Sequence, residues 1–204
     1  MSYLDRILHD GVDRAGWENA RRPVLGASDA AHLAKMSSVD KYLAAKLGHG
    51  SFHGNEYTES GHRWEPMMLA WAGIPQNIAL FHSPAEPGFA CTPDGIAEVH
   101  GGRSLRLAEA KAKHLKIVDG PSVSEWRQLA FQFEVLPEAT EIEFIWVELD
   151  AAGEIRAGRH GEPCSITVRR DHPKILAARA QIMPIAAEVL ARLRVALTYE
   201  RSAA

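Results

Sequence analysis

The middle of this 204-residue sequence changes from helical periodicity to short strand-like runs and back again. Between residues 78 and 111, four apolar runs are separated by proline and glycine, and "HGG" at residues 100–102 is typical of a hairpin turn. Helical periodicity returns at residues 122–136, followed by two further strand-like segments and a long amphipathic helix. This order predicts an α/β fold with a mixed central β-sheet flanked by helices.

Helix start and stop signals frame the segments before the strands. "GASDAAHLAK" is expected to form a short helix with Ser28 near its N-cap, and a second helix is expected from Ser37 or Ser38 to Gly48. A glycine-rich loop then precedes a third helix that ends at Gly73. No repeat or long linker divides the chain, which predicts a single domain over residues 1–204. Its expected parts are a helical N-terminal part (about 1–75), a sheet core (about 76–170) and a C-terminal helix (about 171–200).

Composition excludes several classes of protein. No run of about 18 uncharged apolar residues could span a membrane, and the N-terminus does not resemble a signal peptide, so a cytoplasmic location is expected. Cys91 and Cys164 are too few for a disulfide framework or for a four-thiolate zinc or iron–sulfur site. The net charge of −3 argues against binding nucleic acid through bulk charge. Residues 103–116, with five basic residues and one acidic residue, fit either a solvated face or a local basic groove.

Acidic residues and a lysine are concentrated around the predicted hairpin. Asp94 follows "TP", and Glu109 and Lys111 are two residues apart, so they share one face of a strand. Glu65 lies on the preceding helix. Carboxylates gathered without a metal would repel one another, whereas Mg²⁺ is usually held by one or two carboxylates together with phosphate and water. The pattern therefore suggests a Mg²⁺ site for phosphodiester hydrolysis, with the lysine orienting water and offsetting charge on the phosphate.

Each of these residues also has an ordinary structural interpretation. An isolated E-x-K occurs by chance in most proteins and can be an exposed strand face. Asp94 followed by glycine is a common turn, and Glu65 can be an acid on a helix surface. Gln128 and Gln132, one helical turn apart, can face solvent. The pattern alone leaves these alternatives open.

Five motifs follow one another in a recognisable order. "WENARRPVLGASDAAHL" contains Trp17, Arg21 four residues later and Ser28 seven residues after that. "GHRWEP" contributes Glu65, "TPDG" and "EAK" flank the hairpin, and "FQFEVL" contributes Gln132 before "EFIWVELD". "TPDG" and "EAK" are similar to the PD-(D/E)-x-K nuclease core. The complete series resembles the lambda exonuclease/YqaJ-like viral recombinase group of that superfamily.

The resemblance implies a restriction-endonuclease-like core and a role for each motif residue. Asp94 and Glu109 would bind Mg²⁺, for which Mn²⁺ could substitute, and the backbone carbonyl of Ala110 would be a further ligand. Lys111 would position and activate the attacking water. The implied catalytic set is Lys111, Glu65 and Gln132.

The resemblance also implies a pocket for the terminal 5′-phosphate of the digested strand. Arg21, Ser28 and Thr92 would form it, with Trp17 as a further DNA-binding residue. A guanidinium can grip a phosphate in fork geometry, and hydroxyls supply further donors. Arg22, adjacent to Arg21, is the alternative residue for this phosphate contact.

Two departures from the group's pattern concern these sites. Thr92 stands where the group's better-known member has serine, which keeps the hydroxyl. The group has a Q-x-Q pair, but here Ala130 replaces one glutamine, and Gln128 lies one turn before Gln132.

The function implied is a Mg²⁺-dependent 5′-to-3′ exonuclease of double-stranded DNA that leaves 3′ single strands for annealing-type recombination. A homotrimeric ring, a single-strand annealing protein as partner and a bacterial host cell with a phage or prophage origin are implied with it. Another PD-(D/E)-x-K endonuclease is the first alternative, distinguished by indifference to 5′-phosphorylated ends. A non-catalytic DNA-end-binding module is the second.

Overall fold

The computed structural model of the protein describes residues 2–48, 56–156 and 162–203. In the helix that begins at residue 56, side chains are described from residue 63 onward. Most of the predicted glycine-rich loop lies outside the described residues. Among the described residues, eight strands form two four-stranded sheets, so the mixed α/β fold is confirmed while the strands are divided between two sheets.

The first sheet joins the N-terminal part of the chain to the predicted sheet core. Its strand order is β1-β3-β4-β2, in which β2 and β4 are parallel and the other pairs are antiparallel. Gly26 pairs with Ala90, so the segments that follow β2 and β4 begin side by side. The strands are β1 (Ile7–His9), β2 (Leu25–Gly26), β3 (Leu80–His82) and β4 (Phe89–Cys91).

The second sheet contains the hairpin singled out in the sequence. Its order is β5-β6-β7-β8, with β6 and β7 parallel and the outer pairs antiparallel. The hairpin turn falls at residues 100–102, all with positive φ. The strands are β5 (Gly95–Val99), β6 (Ser104–His114), β7 (Ala139–Leu149) and β8 (Cys164–Arg169).

Helices cover both faces of this second sheet. Met68 and Leu69 of α4 pack with Ala108 and Ala110 on one face of β6. On the opposite face, Leu107 packs in the larger core that α5 and α6 help to build. Because both faces are covered, β7 is buried almost throughout instead of alternating between core and solvent. The helices are α1 (Arg14–Arg21), α2 (Ala27–Ala30), α3 (Val39–Leu47), α4 (Glu56–Ala72), α5 (Val123–Val135) and α6 (Pro173–Ala203).

Helix boundaries agree with most of the sequence signals. Ser38 is the N-cap of α3 and Gly48 its C-cap, and Ser122 begins α5 with a capping box. Ser28 lies near the N-cap of α2, as predicted, although the cap itself is Gly26 and the helix begins at Ala27. Although α6 has 31 residues, neither it nor any other helix in the described ranges is long and apolar enough to cross a membrane.

Candidate active site

Asp94 lies at the start of β5 and is fixed against β6 by two hydrogen bonds. Its Oδ2 accepts from the backbone N–H of Ala110 at 2.7 Å, and its own N–H donates to the carbonyl of Ala108 at 3.1 Å. Burial, followed by the nearby charge of Glu109, holds the pKa of Asp94 well above its ordinary range, against the opposing charge of Lys111. Asp94 and Glu109 therefore form a close carboxylate pair that disfavours two negative charges.

Glu109 is the more deeply buried residue of this pair, at 1% exposure. Its neighbours Ala108 and Ala110 pack on the α4 side of the sheet. Because alternate residues of a strand point to opposite faces, Glu109 faces α5. Its Oε1 accepts from Lys111 Nζ and from Gln128 Nε2, the latter at 2.6 Å, and its Oε2 accepts from Gln132 Nε2. Glu109 and Lys111 therefore share one face of β6, as predicted, and form a direct ion pair there.

Two glutamines of α5 hold the two oxygens of Glu109. They are four residues apart, so they lie on one side of the helix. Ala130, at the position of the second glutamine of the Q-x-Q pattern, is fully buried in the hydrophobic core on another side. The sequence left the role of Gln128 open. In the structure, Gln128 donates a hydrogen bond to Glu109, whereas Ala130 has no polar side chain with which to do so. The solvent-facing interpretation does not hold for Gln132, which is fully buried.

Lys111 is held in its charged form. Burial favours the neutral amine, but the carboxylates of Glu109 and Asp94 outweigh this effect and raise the pKa of Lys111 above its ordinary value. A protonated lysine can orient a water molecule and offset negative charge on a phosphate, but it cannot accept a proton. In this arrangement, Lys111 is therefore a positive charge held beside the carboxylate pair.

Glu65 approaches the pair from α4, on the far side of the sheet from α5. Its Oε1 accepts from Gln76 Nε2 at 3.1 Å, and Gln76 forms an isolated bridge with Gly95, next to Asp94. The charge of Glu65 is a further, smaller contribution that raises the pKa of Asp94. Gln76 was not singled out in the sequence, where it lies in an irregular segment without periodicity.

A second cluster lies where α1, β2 and α2 meet. Arg21 donates to Ser28 Oγ, and its guanidinium carbon is 5.1 Å from the centroid of the Trp17 ring. Arg22 points elsewhere and pairs with Glu200 near the end of α6. The structure thus brings Arg21, Ser28 and Trp17 together and separates Arg22 from them.

Thr92 connects this cluster to the carboxylate pair. It follows β4, whose neighbour β2 leads directly into the α2 residues beside Arg21. Its Oγ1 is buried and has no hydrogen-bond partner within residues 2–48, 56–156 and 162–203, which is an uncommon condition for a buried hydroxyl. Only Pro93 separates Thr92 from Asp94, so a short segment of chain spans both groups of residues.

The second cluster also contains two residues that the sequence analysis did not identify. Asp29 Oδ2 accepts from the N–H of Gly26 and from Lys46 Nζ, each at 2.8 Å, and the Asp29 carboxylate lies 3.5 Å from Arg21. Lys46 comes from α3. No periodic or motif signal links residues 29 and 46, because their contact depends on how α2 and α3 pack.

The donor set limits the kind of metal site that could form. In the described part of the chain, no group of three or more histidine, cysteine or acidic side chains could hold a metal ion. A cation here would rest on Asp94 and Glu109, completed by backbone or water oxygens. Mg²⁺ commonly has such a small set of protein ligands.

Several solved structures share this fold, and they include two exonucleases. The alkaline exonuclease LHK-Exo from Laribacter hongkongensis has a TM-score of 0.61 and 17% identity, covering 93% of this chain and 100% of that chain. A phage-related exonuclease from Haemophilus somnus 129PT has a TM-score of 0.54 and 14% identity, covering 95% of this chain and 93% of that chain. A SOX–DNA complex has a TM-score of 0.53 and 10% identity, covering 87% of this chain and 67% of that chain.

At the level of sequence, no family model and no curated protein matches the chain. Similarity at these low identities concerns the fold, and the fold agrees with the motif series read from the sequence. The chain therefore has the fold of the alkaline and phage-related exonucleases, as its resemblance to the lambda exonuclease/YqaJ-like group implies.

Proposed function

We propose that this protein is a metal-dependent exonuclease that digests one strand of duplex DNA from its 5′ end. The observation that carries the proposal is the Asp94–Glu109 carboxylate pair with Lys111 bound to it, one short segment away from the Arg21 cluster. In this proposal, the carboxylate pair would be the place of hydrolysis and the Arg21 cluster would bind the terminal phosphate. The solved structures that share the fold include two exonucleases and a SOX–DNA complex, which supports DNA as the substrate.

The residues present fit a hard divalent cation. Burial and the charge of Glu109 raise the pKa of Asp94, and a bound cation would relieve the repulsion between these two close carboxylates. Gln132 Oε1, buried without a hydrogen-bond partner among the described residues, is a further acceptor beside Glu109. Asp94, Glu109 and the carbonyl of Ala110 would hold Mg²⁺, or Mn²⁺ in its place. When bound, the ion would polarise the scissile phosphate and promote ionisation of the attacking water.

The chain's own residues would divide the remaining work. Lys111, charged at neutral pH, would orient the water and stabilise negative charge at the phosphate. Gln128 and Gln132 would keep Glu109 in one orientation, and Glu65 would complete the acidic side of the site. Arg21, Ser28 and Thr92 would bind the terminal 5′-phosphate, with Trp17 beside them. Such contacts address the DNA backbone, so weak sequence preference is expected.

The biological setting proposed here rests on the same resemblance. The product would be a 3′ single strand, passed to a single-strand annealing protein during recombination. A homotrimeric ring around the duplex would keep the enzyme on its substrate. The setting would be the cytoplasm of a bacterial cell, with a gene of phage or prophage origin.

The proposed function is tested with end-labelled linear duplexes in Mg²⁺. We expect 5′-phosphorylated ends to be shortened faster than 5′-hydroxyl ends, label at the 5′ end to be released before label at the 3′ end, and a closed circle to survive. Equal cutting of the circle would indicate an endonuclease instead. Binding of ends without any cutting in Mg²⁺ or Mn²⁺ would indicate a non-catalytic module.

Gln128→Ala is expected to lower the single-turnover rate about 10- to 100-fold, because one charge-assisted hydrogen bond to Glu109, worth roughly 1.5–3 kcal/mol, is lost. Gln132→Ala should have an effect at least as large, since it leaves Glu109 Oε2 without its buried donor. Single-turnover cleavage at saturating enzyme measures both variants. Val123→Ala, at an exposed position on the same helix, is the matched control and should behave as wild type. A Gln128→Ala rate within twofold of wild type would show that this hydrogen bond has no role in hydrolysis.

A further inference from the structure

Lys46 is an unusually enclosed lysine for a helix on the outside of the molecule. Its side chain is only 9% exposed, whereas its neighbours Ala44 and Ala45 face solvent. Lysine is rarely buried without a charged partner, and here the ammonium lies 2.8 Å from Asp29 Oδ2. The side chain therefore runs inward from α3 to the cluster beside Arg21.

The charges of this cluster do not balance. Asp29 contacts both Lys46, at 2.8 Å, and Arg21, at 3.5 Å. One carboxylate thus serves two cations, and Arg21 is close enough for its charge to disfavour the charged form of Lys46. Arg21 and Asp29 alone would be neutral, so the surplus positive charge of the cluster comes from Lys46. A nearby anion would relieve the repulsion between the two cations.

Hydroxyl groups complete the environment that an anion would meet. Ser28 Oγ already accepts from Arg21, and Thr92 Oγ1, just after β4, is buried without a hydrogen-bond partner in the described part of the chain. An ammonium has three N–H donors, of which the Asp29 contact uses one among the described residues. Donor groups therefore remain for an oxyanion that enters beside Arg21.

We propose that Lys46 is a specificity-determining residue that binds the terminal phosphate together with Arg21, and that Asp29 positions both cations. The inference rests on the proposed function, since it requires DNA ends to bind at Arg21. A terminal phosphomonoester carries a charge of about −1.5 to −2 at neutral pH, whereas an internal phosphodiester carries −1. The second cation favours the more highly charged group, so Lys46 distinguishes a strand end from the interior of a strand.

A purely structural role for Lys46 gives a different prediction. In that case, the ammonium only neutralises Asp29, and removing both charges together would restore the wild-type preference for a phosphorylated end. If Lys46 binds phosphate, the double variant Lys46→Met/Asp29→Asn has a repaired ion pair but still lacks the second cation. Binding preference for a phosphorylated end separates the two roles, whereas thermal stability alone does not.

The experiment measures the binding of matched hairpin duplexes with one open end, bearing either a 5′-phosphate or a 5′-hydroxyl group. Fluorescence anisotropy with the full chain in Ca²⁺, without Mg²⁺, gives the Kd for each duplex. The preference is the ratio of the Kd for the 5′-hydroxyl duplex to the Kd for the 5′-phosphate duplex. We expect this ratio to fall about tenfold in Lys46→Met, the loss of one charge-assisted contact, and to stay low in the double variant. Lys46→Arg should recover part of the preference. Lys41→Met, which removes an exposed lysine of the same helix, should keep the wild-type ratio.

The possible results separate this inference from the proposed function. If wild type prefers phosphorylated ends and folded Lys46→Met keeps that preference, Lys46 is not a phosphate ligand, while the proposed function stands. If the double variant regains the wild-type ratio, the role of Lys46 is structural. If wild type has no preference, the pocket at Arg21 is wrong and both proposals fail. Should Lys46→Met not fold, the double variant decides by comparison with Asp29→Asn, because these two proteins differ only at Lys46: an equal ratio in both would show that Lys46 is not a phosphate ligand.

Discussion

Lys111→Ala is expected to lower the rate of DNA hydrolysis about 10³-fold, the upper range for removing one group that stabilises transition-state charge. Lys111 is the cation in direct contact with Glu109, and the carboxylates of Glu109 and Asp94 keep it charged. Without it, negative charge at the scissile phosphate loses its nearest protein partner. Single-turnover rates with 5′-phosphorylated linear duplex at saturating Mg²⁺ measure the effect on chemistry apart from binding.

The control for this variant is another lysine on the same face of the same strand. Lys113 lies two residues further along β6 and pairs with Glu125 of α5, away from Glu109. Lys113→Ala leaves the contacts of Glu109 in place and should change the rate by less than about tenfold, although it removes the partner of Glu125 in a mostly buried pair and must also be shown to fold. Lys111→Ala also leaves Asp94 and Glu109 without a counter-charge, so circular dichroism must show that it remains folded at the assay temperature. A folded Lys111→Ala enzyme with more than a tenth of the wild-type rate would exclude the role proposed for this residue.

The parts of the site that were predictable are those set by local periodicity. The period of two along a strand places Glu109 and Lys111 on one face, and the structure confirms that they form an ion pair. The period of the α-helix places Gln128 and Gln132 on one stripe, which is also confirmed. What the sequence could not decide was the direction of that stripe. The packing of α5 against the second sheet turns it toward Glu109, and no local pattern contains that information.

The parts that were not predictable depend on contacts between distant residues. The strands β1 and β2 have three and two residues, too few for any periodicity, and they exist because β3 and β4 offer edges to pair with. Arg6 is another example. It is buried at 1% exposure and pairs with Glu138 on the other side of the chain's midpoint. A charged residue near the N-terminus gave no sign that it would be enclosed, because only the assembled fold creates its partners.

Asp94→Asn is expected to abolish hydrolysis and yet to stabilise the metal-free protein. Burial and the charge of Glu109 raise the pKa of Asp94 in the folded state above its value in the unfolded chain. The folded state therefore binds the proton more tightly, and stability is lost as pH rises from the unfolded pKa through the higher folded pKa. At neutral pH, asparagine removes this unfavourable charge, while its side-chain oxygen can still accept from the N–H of Ala110.

The measurement is thermal unfolding of wild type and Asp94→Asn at pH 7.5, in EDTA and in Mg²⁺. In EDTA, a gain of about 1 kcal/mol would raise the Tm of the variant by about 2–4 °C for a chain of this size. Mg²⁺ should raise the Tm of wild type, because a ligand that binds only the folded state stabilises it, and should have little effect on the variant. At pH 3, where Asp94 of wild type is protonated in the folded state, the difference between the two proteins should shrink. A variant less stable than wild type in EDTA would mean that the Asp94 carboxylate stabilises the fold. The proposal that repulsion between Asp94 and Glu109 destabilises the metal-free protein would then be wrong.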